Sequence, residues 1–438
     1  MTLNRREFMG RIASSFAAVS SVGGAAFAQS GGVPKVGAAA RVVIIGAGSG
    51  GATLATYLRR LAPEISVTVI ERNAQLITGS FSNHVVGGFR SIEQVTHSYD
   101  ALKTRGVTLV QNVAVDVDTT RKTVTLLDGA KIGYDRLVLA PGVDLKFEAI
   151  EGYSPAVAKS IAHAWRGGEQ LLLLRMQLEN MADGGTVVMT IPGVPFSGMT
   201  AAYERICVIA HYLKTRKPRS KLIVLDANRG FAMQEIFSAA FKSYYSGVLE
   251  FVGSTATANF DVVSVDPVGK LVMTRSGIGF KGAVVNIIPP QTAGGIAVRA
   301  GCVEADWCPV DVETFQSRKV KDVHVIGDCA VAFEMAKTAF AANNHAKLVA
   351  GHLAHALAGK ESFPARLREG VWSFLAPDDF VKSGGFYVPG MKDGRSMLTG
   401  SGVYSSTVAD DRAERRANVD EAAGWYAGMT ADMLGSAG

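Results

Sequence analysis

The sequence predicts an α/β protein with two Rossmann-like dinucleotide-binding domains, followed by a smaller C-terminal α+β domain. The first observation is a buried strand that runs into a glycine-rich turn and a helix over 40–61. The second is another strand, turn and helix over 187–213, "VVMTIPGVPFSGMTAAYERICVIAHYL". The third is a change in the residue pattern after residue 360, where an apolar stretch with turns precedes a charged helix. A parallel sheet covered by helices produces the first two patterns.

The composition is that of a globular chain. Its 438 residues are 48% hydrophobic and 19% charged, with 48 glycines, which is enough for two or three domains with their own cores. The formal net charge is +6. The densest basic cluster, "KTRKPRSK" at 214–221, is more typical of a solvated helix end than of a docking patch for an acidic partner. We therefore expect no nucleic-acid interface.

Patterns for metal, haem and membrane binding are missing from the sequence. The eight histidines form no H-x-x-x-H pair, and the four cysteines form neither C-x-x-C nor C-x-x-C-H. No stretch beyond the N-terminal segment reaches about 18 consecutive apolar residues. We therefore expect no metal site and no membrane span. Cys302 and Cys308 could form a disulfide in an oxidising compartment, or could be buried as small apolar residues.

The N-terminal segment, 1–28, has the form of an export signal. Arg5 and Arg6 precede a mildly apolar stretch that ends at Ala26-Phe27-Ala28, and 29–39 follows as a linker. The paired arginines predict the twin-arginine route, which carries folded proteins, commonly around a cofactor. We therefore expect a periplasmic protein that binds its cofactor before export.

The first glycine turn predicts a dinucleotide site. Gly46 allows a tight turn, Gly48 lets the backbone approach a pyrophosphate, and Gly51 lets the helix pack on the strand. The start of the helix offers free N–H groups to phosphates. Glu71 ends the next strand, "SVTVIER", where a carboxylate accepts hydrogen bonds from ribose hydroxyls.

Two later turns identify the expected dinucleotide as FAD. One strand breaks at Ala140-Pro141-Gly142, and another runs into Gly327-Asp328, where Asp328 would accept a hydrogen bond from a ribityl hydroxyl. The helix that follows could face the flavin with its positive end. We expect these residues to contact the cofactor: Gly46, Gly48, Gly51, Glu71, Arg72, Ala140, Gly142, Gly327, Asp328 and Lys337.

The domain order follows from these positions. The FAD domain is predicted at 40–152 and 289–360, the second domain at 153–288, and the C-terminal interface domain at 361–438. In the second domain, Pro192 and Pro195 occupy the turn after the strand, and proline removes the N–H donors that a phosphate needs. A nicotinamide cofactor is therefore not expected there.

These motifs resemble the flavoprotein subunit of flavocytochrome c sulfide dehydrogenase. The resemblance covers nearly the whole chain after the signal and includes "SNHVVGGFRSIEQVTHSYDAL", "YERI", "DWCPVDVETFQSRKVKDVHVIGDC", "WSFLAPDD" and "GWY". It implies a glutathione-reductase-like FAD/NAD-linked fold. It also implies oxidation of a reduced sulfur compound and electron transfer to a c-type cytochrome on another chain.

The chain departs from this family at its cysteines. Many members bind FAD covalently through a cysteine, but here Gly79, or Ser80 in the next register, occupies that position, so we expect noncovalent FAD. The family's redox disulfide is also missing, because Gly198 and Val371 occupy the corresponding positions. The family implies that a thiolate from that disulfide reduces the flavin.

Two residues are predicted to be catalytic on the basis of this resemblance. Glu204 could act as a general base if the pocket desolvates it, or could be a surface carboxylate. Lys337 could stabilise negative charge on reduced flavin, or could be a solvated residue at a helix start. The aromatic pair Trp425 and Tyr426 either anchors the C-terminal helix or forms an interface that closes the substrate side of the flavin or receives a partner.

Three functions remain open at this point. The first is an FAD oxidoreductase that gives electrons to a c-type cytochrome. The second is a flavin-binding partner without catalytic activity that stabilises or activates other sulfur-oxidation proteins. The third, a nicotinamide-dependent disulfide reductase, lacks both the second glycine turn and a cysteine pair.

Overall fold

The computed structural model describes residues 39–435. The predicted signal peptide lies outside them. The helices are α1 (Ser49–Leu61), α2 (Ser82–Gly87), α3 (Asp100–Thr104), α4 (Glu169–Asn180), α5 (Met199–Arg216), α6 (Gln234–Tyr245), α7 (Gly295–Arg299), α8 (Ala339–Leu357) and α9 (Arg412–Leu434). Short 3₁₀ turns are Glu93–Val95, Phe147–Ala149, Val157–Lys159 and Gly327–Cys329.

The strands are distributed over the whole described chain. They are β1 (Arg41–Ile45), β2 (Ser66–Glu71), β3 (Gln75–Ile77), β4 (Thr96–Ser98), β5 (Thr108–Gln111), β6 (Ala114–Asp118), β7 (Thr123–Leu126), β8 (Lys131–Gly133), β9 (Arg136–Leu139), β10 (Val143–Leu145), β11 (Thr186–Ile191), β12 (Lys221–Asp226), β13 (Leu249–Gly253), β14 (Val262–Asp266), β15 (Leu271–Thr274), β16 (Gly279–Lys281), β17 (Val284–Ile287), β18 (Gln291–Ala293), β19 (Val323–Val325), β20 (Leu367–Ala376), β21 (Asp379–Lys392) and β22 (Arg395–Ser405).

The first sheet is parallel and has the strand order β19-β9-β1-β2-β5. Its central strand β1 is buried, as expected for a strand covered by helices on both faces. Ile45 pairs with Ile70 on one side and with Leu139 on the other, so three strands end at one edge. The sheet draws β19 from a part of the chain that follows the second sheet in sequence.

The second sheet is also parallel, in the order β13-β12-β11-β17. The pairing of Ile191 with Asp226 aligns the carboxyl ends of β11 and β12. The antiparallel pair β10-β18 joins the chain that leaves the first sheet to the chain that returns to it. The carboxyl edges of parallel sheets are where ligands bind in such folds.

The C-terminal part consists of the antiparallel sheet β20-β21-β22 and the long helix α9. Asp411 caps α9 by accepting a hydrogen bond from the Ala413 N–H. With two parallel sheets covered by helices and this last α+β unit, the predicted fold class is confirmed. The sequence predicted only an apolar stretch with turns after residue 360. The structure instead forms two strands there, of 10 and 14 residues.

Apolar side chains fill the interior between these layers. One cluster packs around the first sheet, and two pack around the second sheet and its neighbours. Within residues 39–435, no helix is long and apolar enough to cross a membrane. The same residues contain no group of three or more His, Cys, Asp or Glu side chains placed to hold a metal ion.

Candidate functional site

A cavity of about 1360 Å³ lies at the carboxyl edge of the first parallel sheet, and the start of α5 and strand β20 of the C-terminal sheet also line it. This volume exceeds the ~300–1,000 Å³ of an ordinary ligand pocket, so the cavity suits a long ligand with space beside it. All but one of the predicted cofactor residues line it: Gly46, Gly48, Glu71, Arg72, Ala140, Gly142, Gly327, Asp328 and Lys337. The exception is Gly51, which packs inside the fold.

The glycines of the first turn have two different roles: Gly46 and Gly51 allow close packing, and Gly48 leaves open space. A Cβ on Gly51 would overlap the Gly46 carbonyl oxygen, and a Cβ on Gly46, whose φ is +98°, would overlap the Ala140 carbonyl oxygen. A Cβ on Gly48 would meet nothing within 4 Å and would project toward the cavity that Gly48 lines. The N-cap of α1 has no side-chain hydrogen bond. Open space and free N–H groups at this turn fit a pyrophosphate.

Glu71 lies at the end of β2, but most of its capacity as an acceptor is used within the protein. Oε2 accepts a hydrogen bond from the Ala47 N–H at 2.8 Å, and Oε1 accepts two from Asn73. A carboxylate has about four acceptor positions, so one remains for a ligand hydroxyl. Glu71 therefore fixes the glycine turn to the strand edge, and its contact with a ribose stays a prediction.

Asp328 and Lys337 belong to a second turn that lines the cavity, and hydrogen bonds hold this turn in place. Ser197 donates its hydroxyl to Asp328 Oδ2. The Lys337 ammonium donates to the carbonyls of Asp328 and Ala330, each at 2.7 Å, and lies 4.1 Å from the Trp307 ring centre. Burial lowers the pKa of Lys337. The alternative of a solvated Lys337 is therefore wrong, while its electrostatic effect on a cofactor stays a prediction.

Six helices of the described chain begin at the cavity. Residues of the first turn of α1, α2, α4, α5, α7 and α8 line it. Gly168 and Gly198 are the N-caps of α4 and α5, with φ of +79° and +69°, and neither cap has a side-chain hydrogen bond. The first N–H groups of a helix lack partners within the helix, and they carry partial positive charge. This arrangement suits an anionic ligand.

Glu204 lies in the cavity wall on α5. Its side chain is 12% exposed, so the alternative of a surface carboxylate is wrong. Oε2 accepts a hydrogen bond from Asn83 Nδ2 at 2.7 Å, and Oε1 accepts one from the Phe374 N–H at 3.1 Å. His84 Nε2 lies 3.8 Å from Oε1 and has no hydrogen-bond partner in the described part of the chain. The carboxylate is therefore held in one orientation beside an imidazole.

A buried arginine supports this wall. Arg205 donates to Asn83 Oδ1 at 2.9 Å and to the carbonyls of His163 and Ala164. Burial lowers its pKa to about 9. Asn83 thus joins Glu204 and Arg205 in one network. The sequence motifs "SNHVV" and "YERI" contained these residues, but only the packing of α2 on α5 reveals what they contact.

The cavity wall carries no thiol among the residues that the structure describes. Gly198 and Val371 both line it, at the positions where the resemblance placed redox cysteines. All four cysteines are free and buried, so Cys302 and Cys308 form no disulfide and the alternative of buried small residues is correct. Burial raises the pKa of Cys207 well above its ordinary value, which keeps this thiol protonated.

In the second domain, an aromatic side chain contacts the carboxylate at the end of β12. Asp226, at the end of β12, is fully buried and accepts hydrogen bonds from the Tyr203 hydroxyl and from Asn228. Tyr203 stacks on Phe231 with ring centres 3.7 Å apart. Because Asp226 is fully buried beneath these groups and does not line the cavity, its carboxylate is not exposed to a ligand there, and the absence of a nicotinamide site stays a prediction.

The two aromatic residues of α9 have different surroundings: Tyr426 anchors the helix, and a role of Trp425 on the substrate side stays a prediction. Trp425 lines the cavity and stacks on Phe340, with ring centres 5.7 Å apart. Tyr426 is buried and hydrogen-bonds Thr78 Oγ1 and His97 Nε2, each at 2.8 Å. Trp425 therefore forms part of the cavity wall, and Tyr426 anchors the helix.

The fold and the cavity together define a class, the FAD-dependent oxidoreductases with two dinucleotide-binding domains. Three family descriptions match the chain. They are the central domain of the sulfide dehydrogenase [flavocytochrome c] flavoprotein chain at 171–289, the flavin-binding domain of flavocytochrome c sulphide dehydrogenase at 370–434, and pyridine nucleotide-disulphide oxidoreductase at 40–172. The chain belongs to the flavocytochrome c sulfide dehydrogenase flavoprotein family.

Individual relatives support this membership. The sulfide dehydrogenase flavoprotein chain of Chlorobaculum thiosulfatiphilum is 53% identical over 45 residues, which are 10% of this chain and 94% of that sequence. The mitochondrial sulfide:quinone oxidoreductase of Mus musculus is 24% identical over 312 residues, and the sulfide-quinone reductase of Aquifex aeolicus is 34% identical over 188 residues. These alignments cover 66% and 42% of this chain, and 65% and 42% of the two relatives.

A solved structure shows the same fold at low identity. The sulfide:quinone oxidoreductase from Aquifex aeolicus superposes with a TM-score of 0.70 and 19% identity, over 91% of this chain and 93% of that one. At this identity the likeness concerns the fold alone.

Proposed function

We propose that the chain is a periplasmic, noncovalent FAD oxidoreductase that oxidises a reduced sulfur compound and passes the electrons to a c-type cytochrome. One observation carries the proposal: a single cavity extends from the glycine turn at Gly48 to the buried carboxylate of Glu204. A cofactor bound at one end and a substrate at the other would share this space. Relatives named as sulfide dehydrogenase and sulfide:quinone oxidoreductases support the sulfur substrate.

The residues of the cavity fit a flavin dinucleotide. Gly48 and the start of α1 suit the pyrophosphate, Glu71 keeps one acceptor position free, and Asp328 lines the same cavity. Gly79 and Ser80 line the cavity without a thiol, which supports noncovalent binding. When bound, the flavin supplies two-electron transfer.

Glu204 is the residue best placed to move a proton. Asn83 and the Phe374 N–H donate hydrogen bonds to its two carboxyl oxygens and hold it in one orientation. A sulfur substrate that carries a proton would donate it to this group before it gives up electrons. Because the wall carries no disulfide, the substrate in this proposal gives its electrons directly and not through a protein thiolate.

Anaerobic bleaching of the flavin absorbance tests the activity. Sulfide, sulfite, thiosulfate and polysulfide would each be mixed with the purified protein, and at least one should bleach it. Oxidised cytochrome c should then restore the colour faster than a short-chain quinone does. If none of the four compounds bleaches the flavin, the enzyme proposal fails; if only the quinone restores it, the acceptor is wrong.

The effect of Glu204→Gln provides a further test. General acid–base catalysis contributes about 10²–10⁴-fold, so the bleaching rate should fall by roughly 100-fold or more while the flavin stays bound. Glu179→Gln, near the other end of α4 and outside the cavity wall, is the control and should bleach at the wild-type rate. Equal rates in the Glu204 variant and the wild type would remove Glu204 from the reaction.

A second candidate is a flavin-binding protein that activates or stabilises other sulfur-oxidation proteins. It is favoured by the simultaneous absence of thiols at Gly198 and Val371, both on the cavity wall. Bleaching by any of the four sulfur compounds separates it from the enzyme. Acid precipitation tests noncovalent binding independently, because yellow colour that stays in the pellet would contradict it.

A further inference from the structure

Glu369 is a buried carboxyl group directly behind the cavity wall. It is 5% exposed, and its Oε1 has no hydrogen-bond partner among the described residues. Successive side chains of a strand point to opposite faces, so Glu369 and Val371 share one face of β20. Val371 lines the cavity. The titratable carboxyl of Glu369 therefore lies two residues along β20 from Val371, which is part of the cavity wall.

The groups that face Glu369 carry no balancing positive charge. The Thr338 hydroxyl faces it from the start of α8, and the phenols of Tyr387 and Tyr404 face it from β21 and β22. The charged groups that act on this cluster from farther away are Glu334, Glu421 and Arg368. Burial raises the pKa of Glu369 to about 7. It is therefore about half protonated near neutral pH.

Thr338 connects this group to the cavity. Its Oγ1 accepts a hydrogen bond from the Ala341 N–H at 3.0 Å, and its hydroxyl proton remains free to be donated. Thr338, Ala339 and Phe340 all line the cavity. Thr338 would therefore separate negative charge in the cavity from the Glu369 carboxyl. A nearby negative charge raises the pKa of an acid, so it would strengthen proton binding by Glu369.

We propose that Glu369 is the group that binds a proton when negative charge enters the cavity, with an anionic substrate or with electrons delivered to the bound cofactor. The inference rests on the proposed function only in requiring that a flavin binds there. One solvent proton and the Glu369 carboxylate give the neutral acid, and Glu369 takes up no electron. The proton returns to solvent when the electrons leave. Glu369 is a positioning residue in this scheme, since it touches neither substrate nor cofactor.

Proton uptake on reduction tests the proposal. The flavin-loaded protein would be reduced electrochemically near pH 7 in weak buffer with a pH-indicator dye. Wild-type protein should take up as much as about half a proton more than Glu369→Gln, because a group with a pKa of about 7 is half protonated beforehand. Glu414→Gln, which alters an exposed carboxylate in the first turn of α9, is the control and should match wild type. Equal uptake by wild-type and Glu369→Gln protein between about pH 6 and about pH 8 would overturn the proposal.

Infrared spectra provide a measurement that needs no folded Glu369 variant. In flavin-free wild-type protein, the carbonyl band of a protonated carboxyl group should disappear as the pH rises through about 7. In loaded protein, reduction should move this loss to higher pH. A loss that does not move would overturn the proposal. If the protein binds no flavin, the proposed function fails, while the flavin-free titration still reports the state of Glu369.

Discussion

At the residue scale, substitutions at Gly48 and Gly51 should distinguish an effect on cofactor binding from an effect on folding. The backbone of Gly48 is extended, and a Cβ there would meet nothing within 4 Å, so Gly48→Ala should leave the stability of the flavin-free protein unchanged within ~0.5 kcal/mol. The new methyl group would occupy space where the pyrophosphate is expected. We expect the flavin affinity to fall by at least ~10-fold, or about 1.4 kcal/mol, in a fluorescence titration.

Gly51→Ala is the matched variant with the opposite result. Its Cβ would overlap the Gly46 carbonyl oxygen, which belongs to backbone and cannot turn aside. Forcing atoms into a packed site costs about 1–3 kcal/mol or more, so urea unfolding of the flavin-free protein should detect the loss. A Gly48→Ala protein that binds flavin as tightly as wild type would place the pyrophosphate elsewhere.

The raised pKa of Glu369 has a consequence for stability as well as for proton uptake. The folded protein holds this proton up to a pKa of about 7, against 4.5 for an ordinary glutamate, so stability contributed by the neutral acid is lost as the pH rises through about 7. A shift of about 2.5 units at about 1.36 kcal/mol each sets an upper limit of ~3.4 kcal/mol.

Glu369→Gln should remove this loss. Between about pH 5 and about pH 8, the unfolding free energy of the variant should gain about 1–3 kcal/mol relative to wild type, measured in urea at each pH. Other titrating groups cancel in the comparison. A constant difference over this range would mean that Glu369 is ionised throughout in the folded protein.

Residues of this kind mark the limit of inference from sequence. The glycine spacing predicted the first turn because backbone sterics require glycine at Gly46 and Gly51. Glu71 was placed correctly at the end of its strand, but its bond to Ala47 depends on a turn 24 residues away. Nothing in "LREGVW" distinguishes Glu369 from a surface glutamate, because its burial results from the packing of α8, β21 and β22 against it.

At the element scale, the junction of β11 and α5 depends on the backbone of Gly198. This residue is the N-cap of α5 with φ of +69°, a conformation that costs an L-residue about 1–2 kcal/mol. Gly198→Ala should therefore lower the unfolding free energy by about 1 kcal/mol, although the nearest atom to its Cβ is 3.4 Å away.

Gly193, in the same connection, is the control. Its φ is not positive and a Cβ there meets nothing within 4 Å, so Gly193→Ala should be neutral or slightly stabilising in thermal unfolding. Equal effects of the two substitutions would show that the backbone of Gly198 carries no strain cost. The same conformation gives a reason why a β-carbon, and with it a cysteine, is disfavoured at this point of the wall.

Elements with a strong hydrophobic periodicity were predicted well from the sequence. Elements defined by pairing between distant strands were not. β11 and α5 follow directly from "VVMTI" and from the apolar spacing of the following helix. The strands β20 and β21 contain glycines at Gly370, Gly384 and Gly385, which weaken any strand pattern. In the structure, a Cβ at Gly384 would overlap the Glu369 carbonyl oxygen, so close strand packing explains that glycine.

At the scale of the whole molecule, the site exists only because distant parts of the chain meet. The glycine turn near residue 48, Glu204 on α5 and Trp425 on α9 line the same cavity. A cofactor bound between them would stabilise the folded form by a free energy that grows with the logarithm of its concentration over its dissociation constant. This assembly also bears on export, because the twin-arginine route expected from the sequence carries folded proteins.

The proposed periplasmic location leads to the last prediction. Replacing the pair by Arg5→Lys and Arg6→Lys preserves charge but removes the guanidinium groups, which differ from ammonium in geometry and donors. We expect the variant to accumulate in the cytoplasm as an uncleaved, flavin-loaded protein, detected by fractionation and by mass. Arg11→Lys, in the same segment but outside the pair, is the control and should be exported and cleaved. Export of the double-lysine variant at the wild-type level would contradict the twin-arginine route, whereas export of a flavin-free protein would contradict cofactor binding before transport.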